Sequence, residues 1–535
     1  MPSNPHSSIA PRGGTAESIS SSQRVNPTDL SASVQLALKQ AQTQASAQQW
    51  AQVIALCEGV VDQCRQYLSS PTGNPSGGPT DPTAKATEHR TAALYQAKGE
   101  LFQQQGNLEA AIEAYQQAVA CQPDRVDLHL RIARLCHQTR QLETAIIHYE
   151  KAQALSPNQP DITQQLAQLY LHRGHRFKQQ SHLPEAVDAY LKALRQNPRL
   201  FEAYSRLRYN LMRYAIPAGD PMLEQVVQTC RDILEKHPDL RYAGVTLGYA
   251  LTKLGNVYEA TRCFRRLSQD ILHDYDPGSA LPSSFQNHAP DFIIIGAEKC
   301  GTTSLHQYIC QHPAVVPPVE KEIDFFDLEY ERGLDWYLAH FPPIHPEAQQ
   351  ISGETSANYF YNDVAPGRIF QHFPNTKLIL ILRNPVDRTI SRYNMMVRNG
   401  AEVRDFETAI REEMERIQQA MEGDTIPWWV LNQCRHLGNS LYYYHLRRWL
   451  GVFPRQQLLI VRSEDLFTRP ESTLTSIYRT LGLNDFPDQT YPKLNAGSYS
   501  PIEAKTRQGL TEFFAPHTQK LESLLNQSFN WQIDE

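Results

Sequence analysis

The chain has 535 residues, of which 41% are hydrophobic, and its formal net charge is −6. This length allows two domains with apolar cores, and the acidic balance excludes a global attraction to nucleic acid. Nine cysteines are scattered along the chain without a disulfide framework, which suits a reducing compartment.

The first 88 residues contain three predicted segments. Residues 1–30 are polar, are predicted to be disordered and lack the apolar core of a signal peptide. Residues 31–68 carry apolar side chains at helical spacing, which predicts a helical hairpin. Residues 69–88 are rich in Gly, Pro, Ser and Thr, as expected for a flexible linker. No apolar run in the chain approaches the ~20 residues of a spanning helix, so a cytoplasmic protein without a membrane span is expected.

A repeated pattern follows, in which a small residue, two alanines around a tyrosine, and a proline recur 34 residues later. The first two copies are Gly99, Ala111, Tyr115, Ala118, Pro123 and Ala133, Ala145, Tyr149, Ala152, Pro157. A third copy is Ala167, Ala186, Tyr190, Ala193 and Pro198, with seven extra residues expected between its helices. A degenerate fourth copy ends at Pro238, and a fifth shows Gly248, Gly255, Ala260 and Phe264.

This pattern resembles the tetratricopeptide repeat (TPR), in which alanines let two helices approach and an aromatic residue fills the gap between repeats. The resemblance implies a TPR solenoid over residues 89–272 that binds a protein partner in its groove. A junction is expected at 273–290 and a second domain over 291–535.

The second domain opens with Asp291–Leu305, DFIIIGAEKCGTTSL, which predicts a buried strand, a glycine-bounded loop and a helix start. Backbone N–H groups in such a loop converge on a phosphate, and Lys299 adds a positive charge. ATP- and GTP-binding loops carry their lysine directly after the second glycine, but Thr302 holds that position here. The loop therefore predicts a nucleotide-phosphate site that is not of the ATPase type.

The order K-C-G-T-T resembles the 5′-phosphosulfate loop of sulfotransferases, K-x-G-T-T. The resemblance implies a P-loop-like α/β domain with a central parallel sheet. It also implies 3′-phosphoadenosine 5′-phosphosulfate (PAPS) as the sulfuryl donor, without a metal. The nucleotide contacts expected from this loop are those of Lys299, Cys300, Gly301, Thr302, Thr303 and Ser304, with Lys299 also catalytic.

Two carboxylates follow the loop, Glu322 and Asp324. In an extended segment both would face one side, toward the mouth of the loop. A carboxylate within hydrogen-bond reach can take the proton of an attacking hydroxyl, although a solvated edge carboxylate is the alternative. The E-x-x-F-F pattern and GETSANYF at 353–360 resemble the heparan-sulfate sulfotransferase group, which implies that Glu322 is the general base.

One residue departs from that group. Thr355 stands where the group usually has a lysine that helps to hold the substrate and the sulfonate. Either Lys321, beside the expected base, supplies this charge, or the acceptor is held differently.

A second strand is predicted over Leu378–Leu382, followed by a helix capped by Asn384. Arg383 and Ser391 then lie at the carboxyl end of a parallel strand, where open α/β sheets bind ligands. The segment resembles the 3′-phosphate motif of sulfotransferases, which implies that Arg383 and Ser391 hold that phosphate. Arg388 is expected to be an ion-pair residue inside the fold.

The C-terminal segment LNAGSYS resembles the family's closing loop, K-G-x-Y. The resemblance implies nucleotide contacts from Ala496, Gly497, Ser498 and Tyr499, although Ala496 replaces the usual basic residue. Phe529 and Trp531 match the family's F-x-W ending, which is most simply a packing anchor.

Together these segments predict an α + α/β protein. The expected activity is PAPS-dependent sulfuryl transfer to a hydroxyl or amine of a carbohydrate, with the repeats recruiting a partner or substrate. Two alternatives stay open. The acceptor is a protein side chain, or the chain is a non-catalytic nucleotide-binding scaffold, as Thr355 and Ala496 would allow.

Overall fold

The computed structural model describes residues 59, 82–214, 216–275, 277, 289–344, 349–487, 490–492, 494 and 502–531. The predicted disorder at 1–30, nearly all of the predicted hairpin at 31–68 and the predicted closing-loop residues 496–499 lie outside these residues. The chain divides into two units, one up to Tyr170 and one from Leu171 onward.

Ten helices fill the described part of residues 82–275 and form five successive pairs, as the repeats predicted. The pairs are α1 Pro82–Gln104 and α2 Leu108–Cys121, α3 Val126–Gln138 and α4 Leu142–Leu155, α5 Pro160–Gln179 and α6 Leu183–Gln196, α7 Phe201–Arg213 and α8 Pro221–Lys236, α9 Arg241–Lys253 and α10 Val257–Tyr275. Helix α1 begins at Pro82, within the segment 69–88 that the sequence predicted as linker.

A small residue packs on the buried aromatic ring of its own pair. A Cβ atom added to Gly99 would lie 2.7 Å from the ring of Tyr115, and one on Gly174 would lie 2.4 Å from that of Tyr190. The third repeat therefore uses Gly174, and not Ala167, at this place. The expectation of seven extra residues between its helices was wrong, because they lie in the first helix, upstream of Gly174. Seven residues make about two helical turns, so the insertion lengthens α5 and leaves its packing face in register.

Four parallel strands form one sheet in the order β2-β1-β3-β4. They are β1 Phe292–Gly296, β2 Gly353–Thr355, β3 Lys377–Leu382 and β4 Leu458–Arg462. All five residues of β1 are buried, which is typical of a parallel sheet covered on both faces. After β1 the chain forms β2 on one side of β1, and it later forms β3 on the other side of β1. The carboxyl ends of β1 and β3 therefore form the switch point at which α/β sheets bind ligands.

Helices surround this sheet and confirm the predicted α/β domain. They are α11 Thr302–Ile309, α12 Leu334–Leu338, α13 Ala365–His372, α14 Pro385–Arg398, α15 Phe406–Ala420, α16 Trp428–Gln433, α17 Tyr442–Leu450, α18 Ser463–Thr468, α19 Pro470–Leu481 and α20 Ala504–Leu525. The side chain of Asn384 accepts the backbone N–H of Val386 at 2.9 Å, so the predicted cap of α14 is confirmed. None of the described helices is both long and apolar enough to cross a bilayer.

The last repeat packs directly on the α/β domain within the second unit. The indole of Trp336 donates to Thr252 Oγ1 at 2.9 Å, and the rings of Phe264 and His340 stack with centroids 3.9 Å apart. Lys253 and Glu329 add an ion pair of 2.8 Å, in which the carboxylate is buried. These contacts fix α9 and α10 to the segment that carries Trp336.

We expect Gly248→Ala to destabilise the second unit. The added Cβ would lie 2.4 Å from Phe264, whose ring is held by Tyr249, Trp336 and His340 and has no room to move. Overpacking of this kind costs about 1–3 kcal/mol, which a lower urea midpoint would report.

Gly509→Ala is the matched control, because nothing lies within 4 Å of its added Cβ. Gly509 is an exposed position inside α20, so alanine there should stabilise by about 0.5–1 kcal/mol. Equal midpoints for the two variants would contradict the packing described for Phe264.

Candidate active site

The loop between β1 and α11 has the shape of an anion cradle. Gly301 caps α11 with φ 100°, a backbone conformation that favours glycine, and a Cβ there would meet the ring of Phe467 at 3.0 Å. The first N–H groups of a helix have no acceptor within the helix. In α11 these groups belong to the residues that follow Gly301, and they are available to an anion in the cavity described below.

Arg388 holds this loop from inside the protein. Its guanidinium is fully buried, and Nε donates to the Glu298 carbonyl at 3.2 Å. Its Nη1 donates to the His436 carbonyl at 3.1 Å and to Ser440 Oγ at 3.0 Å. Its Nη2 lies 3.5 Å from Glu298 Oε2. The prediction of an ion-pair residue inside the fold is therefore confirmed for Arg388.

The carboxylate of Glu298 joins two arginines, Arg388 and Arg392. Burial acts to raise the pKa of Glu298, but Arg392, Arg388 and Lys299 together hold that pKa below its ordinary value. The carboxylate therefore stays ionised at neutral pH and offsets part of the positive charge of the loop.

Arg383 follows β3 and lies beside the loop that follows β1. Its Nη1 is 3.5 Å from the Lys299 carbonyl, and its own carbonyl accepts the hydroxyl of Tyr442 at 2.9 Å. Ser391, one and a half turns into α14, is buried. The ends of two neighbouring strands thus bring the two predicted cationic residues together.

The start of α14 is braced by the C-terminus. Glu464 accepts the backbone N–H of Asn384 at 2.8 Å and the indole N–H of Trp531 at 3.2 Å. The rings of Phe529 and Trp531 stack with centroids 4.4 Å apart. The predicted packing anchor is confirmed, and it supports the helix that begins after Arg383.

One cavity of about 890 Å³ is lined by the predicted site residues that the structure describes. They are Lys299, Cys300, Gly301, Thr302, Thr303, Ser304, Glu322, Arg383 and Ser391. Leu494, which also lines the cavity, donates its N–H to Ser304 Oγ at 3.2 Å. The predicted contacts of Ala496, Gly497, Ser498 and Tyr499 lie outside the described residues and stay predictions.

Glu322 and Asp324 do not share a face, so that expectation was wrong. Both have left-handed backbone conformations, with φ 67° and 51°, which break the alternation of an extended strand. Glu322 lines the cavity, and its side chain is 45% exposed. Asp324 is buried, and its N–H donates to Ser356 Oγ at 3.1 Å. Of these two carboxylates, Glu322 is therefore the one that lines the cavity.

Thr355, at the position of the expected lysine, is buried and bonded to a histidine. Its Oγ1 lies 2.9 Å from His306 Nδ1. Burial, with a contribution from Lys321, lowers the pKa of His306 to about 3, so the imidazole is neutral. Lys321 lines the cavity and forms an ion pair with Glu322. A lysine is thus present beside the carboxylate of Glu322. It comes from the segment that carries Glu322, and not from the position of Thr355 on β2.

Glu354, which precedes Thr355 on strand β2, is a further carboxylate and is fully buried. It accepts hydroxyl hydrogen bonds from Tyr337 at 2.7 Å, Ser356 at 2.8 Å and Tyr359 at 3.2 Å. Burial raises its pKa to about 7 despite these donors. Three hydroxyl groups therefore hydrogen-bond to the Glu354 carboxylate, and these bonds stabilise strand β2.

Sequence reasoning missed the walls of the cavity. Its lining includes five asparagines, Asn358, Asn362, Asn399, Asn432 and Asn439, and the aromatic residues Tyr209 and Trp428. Asn358 belongs to the GETSANYF segment, and Trp428 and Asn432 share helix α16. The set as a whole comes from several segments far apart in sequence, and no single motif groups it.

We expect the ion pairs of Glu298 to stabilise the fold only above acidic pH. Because its folded pKa lies below the ordinary value of 4.5, the stabilisation is present above that value and is lost as the pH falls through the folded pKa. Glu298→Gln should lower the unfolding free energy at pH 7 by about 3 kcal/mol, measured by urea denaturation.

The difference between Glu298→Gln and the wild type should shrink as the pH falls below 4.5. Glu415→Gln, an exposed position on α15, should match the wild type at both ends of the pH range. A difference for Glu298→Gln that stays constant with pH would contradict the ion pairs.

Comparison with known proteins agrees with this architecture. A family model for the sulfotransferase domain matches residues 289–497, and one for the tetratricopeptide repeat matches residues 97–160. The chain is 28% identical over 313 residues to the membrane-associated sulfotransferase kil1 of Dictyostelium discoideum, covering 45% of this chain and 66% of that protein.

Two further relatives act on heparan sulfate according to their names. One is the bifunctional heparan sulfate N-deacetylase/N-sulfotransferase 2 of Bos taurus, 32% identical over 44% of this chain and 29% of that protein. The other is the heparan sulfate glucosamine 3-O-sulfotransferase 5 of Homo sapiens, 29% identical over 50% of this chain and 82% of that protein. The chain spans less than two thirds of the length of the Dictyostelium and bovine proteins. It joins tetratricopeptide repeats to a sulfotransferase domain, and the predicted fusion is confirmed.

Proposed function

We propose that the chain is a PAPS-dependent sulfotransferase that modifies a hydroxyl or amine of a carbohydrate. The observation that carries this proposal is that Lys299, Arg383 and Glu322 line one cavity. Two cations from adjacent strand ends suit a nucleotide with anionic groups at both ends. A carboxylate in the same cavity suits the removal of a proton from an acceptor.

The residues of the cavity suit PAPS in charge, and its volume suits PAPS in size. Lys299 and the free N–H groups at the start of α11 would hold the 5′-phosphosulfate. Arg383 and Ser391 would hold the 3′-phosphate, because a guanidinium donates two hydrogen bonds to one phosphate. The volume of about 890 Å³ lies within the usual range for small-molecule sites. When bound, PAPS supplies the sulfuryl group.

Different residues of the chain act on the acceptor and on the nucleotide. Glu322 accepts the proton of the acceptor hydroxyl or amine, and Lys321 holds its carboxylate in place through their ion pair. Lys299 and the α11 N–H groups stabilise negative charge that develops at the 5′ phosphate, so they favour the transition state over the ground state.

The lining of the cavity supports a carbohydrate acceptor. Each asparagine amide offers both donors and an acceptor, which matches a molecule rich in hydroxyl groups. Tyr209 and Trp428 offer apolar ring faces, which suit the C–H faces of a sugar. The heparan sulfate relatives agree with this class of acceptor. Recruitment of a protein partner by the repeats, a cytoplasmic location and independence from a metal stay predictions.

A nucleotide-binding scaffold remains the second candidate, because Thr355, which is hydrogen-bonded to His306, stands where the family usually has a lysine. The two candidates differ in turnover. Only the enzyme transfers sulfate to an acceptor, whereas both bind the nucleotide.

We expect Glu322→Gln to keep nucleotide affinity within about threefold and to lower transfer by about 10²-fold or more, because it removes the proton acceptor. Lys299→Ala should lower both the nucleotide affinity and the rate of transfer. Labelled sulfate transfer from PAPS to a panel of heparosan, chitin and cellulose hexasaccharides and a tyrosine peptide would measure turnover. Calorimetry with 3′-phosphoadenosine 5′-phosphate (PAP) would measure binding.

Glu331→Gln is the matched control, because Glu331 is an exposed glutamate near the same segment, and it should behave as wild type. Full transfer by Glu322→Gln would contradict the assignment of the base. Tight PAP binding with no labelled product from any acceptor would favour the scaffold, and label on the peptide alone would favour a protein acceptor.

A further inference from the structure

We propose that the repeats form part of the acceptor site itself, with Tyr209 of helix α7 packing against a ring of an oligosaccharide acceptor. This inference rests on the proposed function, and it assigns the repeats a task beyond recruitment. Of the described residues that line the cavity, Tyr209 alone precedes β1. Tyr209 is 38% exposed, so aromatic surface is available there.

The backbone at Tyr209 is tied to the segment that carries the base. The neighbouring Arg208 is largely buried and forms an ion pair with Glu320, two residues before Glu322. That segment is itself fixed, because the N–H of Val319 donates to the His340 carbonyl and the N–H of Glu322 to the Thr355 carbonyl, both at 2.8 Å. The position of α7 relative to Glu322 is therefore set by buried contacts.

More of the repeat array strengthens this attachment. Thr252 and Lys253 at the end of α9 bind Trp336 and Glu329 at 2.9 and 2.8 Å. Tyr275 at the end of α10 donates to the Cys310 carbonyl at 3.0 Å. Because three helices of the repeats, α7, α9 and α10, contact the α/β domain, α7 stays beside the cavity while the acceptor binds and leaves.

A cation holds the ring of Tyr209 in place. Lys178 Nζ lies 5.1 Å from the ring centroid, within the range of a cation–π contact. A ring that is already ordered loses little entropy when an acceptor packs on it. Tyr209 thus has the exposure, the location and the rigidity of a binding residue.

The chemistry of the cavity indicates which part of the acceptor Tyr209 contacts. The anionic end of the nucleotide and Glu322 surround the reacting group, whereas Tyr209 belongs to a different element and carries no charge. A sugar ring linked to the reacting one suits this aromatic surface, and asparagine amides would bind its hydroxyls. The repeats would then determine the selection of an oligosaccharide over a single sugar.

The test measures acceptor KM and kcat for Tyr209→Ala with the hexasaccharide that the wild type sulfates best. We expect KM to rise about tenfold or more, with kcat and the Kd of PAP within about twofold. Tyr209→Phe keeps the ring and should restore the wild-type KM. With the methyl glycoside of the corresponding monosaccharide as acceptor, KM should change little in any variant.

Tyr258→Ala is the matched control. Tyr258 is also a repeat tyrosine, is 76% exposed, and has Arg262 5.9 Å from its ring centroid, but it does not line the cavity. This variant should match the wild type. Tyr209→Leu keeps the bulk without the ring and gives the same comparison if Tyr209→Ala folds poorly.

If the wild type transfers sulfate and Tyr209→Ala has an unchanged KM for the hexasaccharide, this inference is overturned and the proposed function is not. An equal rise in the Kd of PAP would also overturn it, because the residue would then act on the nucleotide site. No transfer by the wild type to any acceptor would overturn the proposed function and this inference together.

Discussion

The buried guanidinium of Arg388 is the contact on which the candidate site depends. It binds the carbonyl and the carboxylate of Glu298 in the loop after β1, and it also binds the His436 carbonyl and the Ser440 hydroxyl. A single side chain on α14 thus connects the loop after β1 with the segment before α17. Because α14 also begins two residues after Arg383, the same helix positions both halves of the proposed nucleotide site.

The charge balance of the cavity follows from this arrangement. Lys299, Arg383 and Arg392 bring positive charge to the cavity, and Glu298 offsets part of it with a carboxylate whose pKa is held low. The remaining positive charge suits a nucleotide bis-anion. The same cavity is also lined by asparagine amides and by aromatic rings.

The sequence predicted those features of the fold and of the site that depend only on residues close together in the chain. The glycine-bounded loop after β1, strand β3, the Asn384 cap and the burial of Arg388 each depend on a short stretch of chain. The helical pairs were predictable because the repeat period defines them. These signals are local, and the local backbone follows them.

The rest depended on tertiary contacts or on backbone angles that no pattern reveals. Glu322 and Asp324 alternate in sequence, but their left-handed conformations send only Glu322 to the cavity. The extra residues of the third repeat lie inside α5, because Gly174 and not Ala167 packs on Tyr190. The walls of the cavity and the docking of the last repeat join segments far apart in sequence. The predicted contacts of residues 496–499 stay predictions.

The central claim is that Lys299 and Arg383 bind opposite ends of one nucleotide. Calorimetric titration of PAP and of adenosine 5′-phosphate, which lacks the 3′-phosphate, tests it most directly in the wild type, Lys299→Ala and Arg383→Ala. The wild type should prefer PAP, Arg383→Ala should lose that preference, and Lys299→Ala should weaken both nucleotides by a similar factor. A preference for PAP that persists in Arg383→Ala would contradict the account.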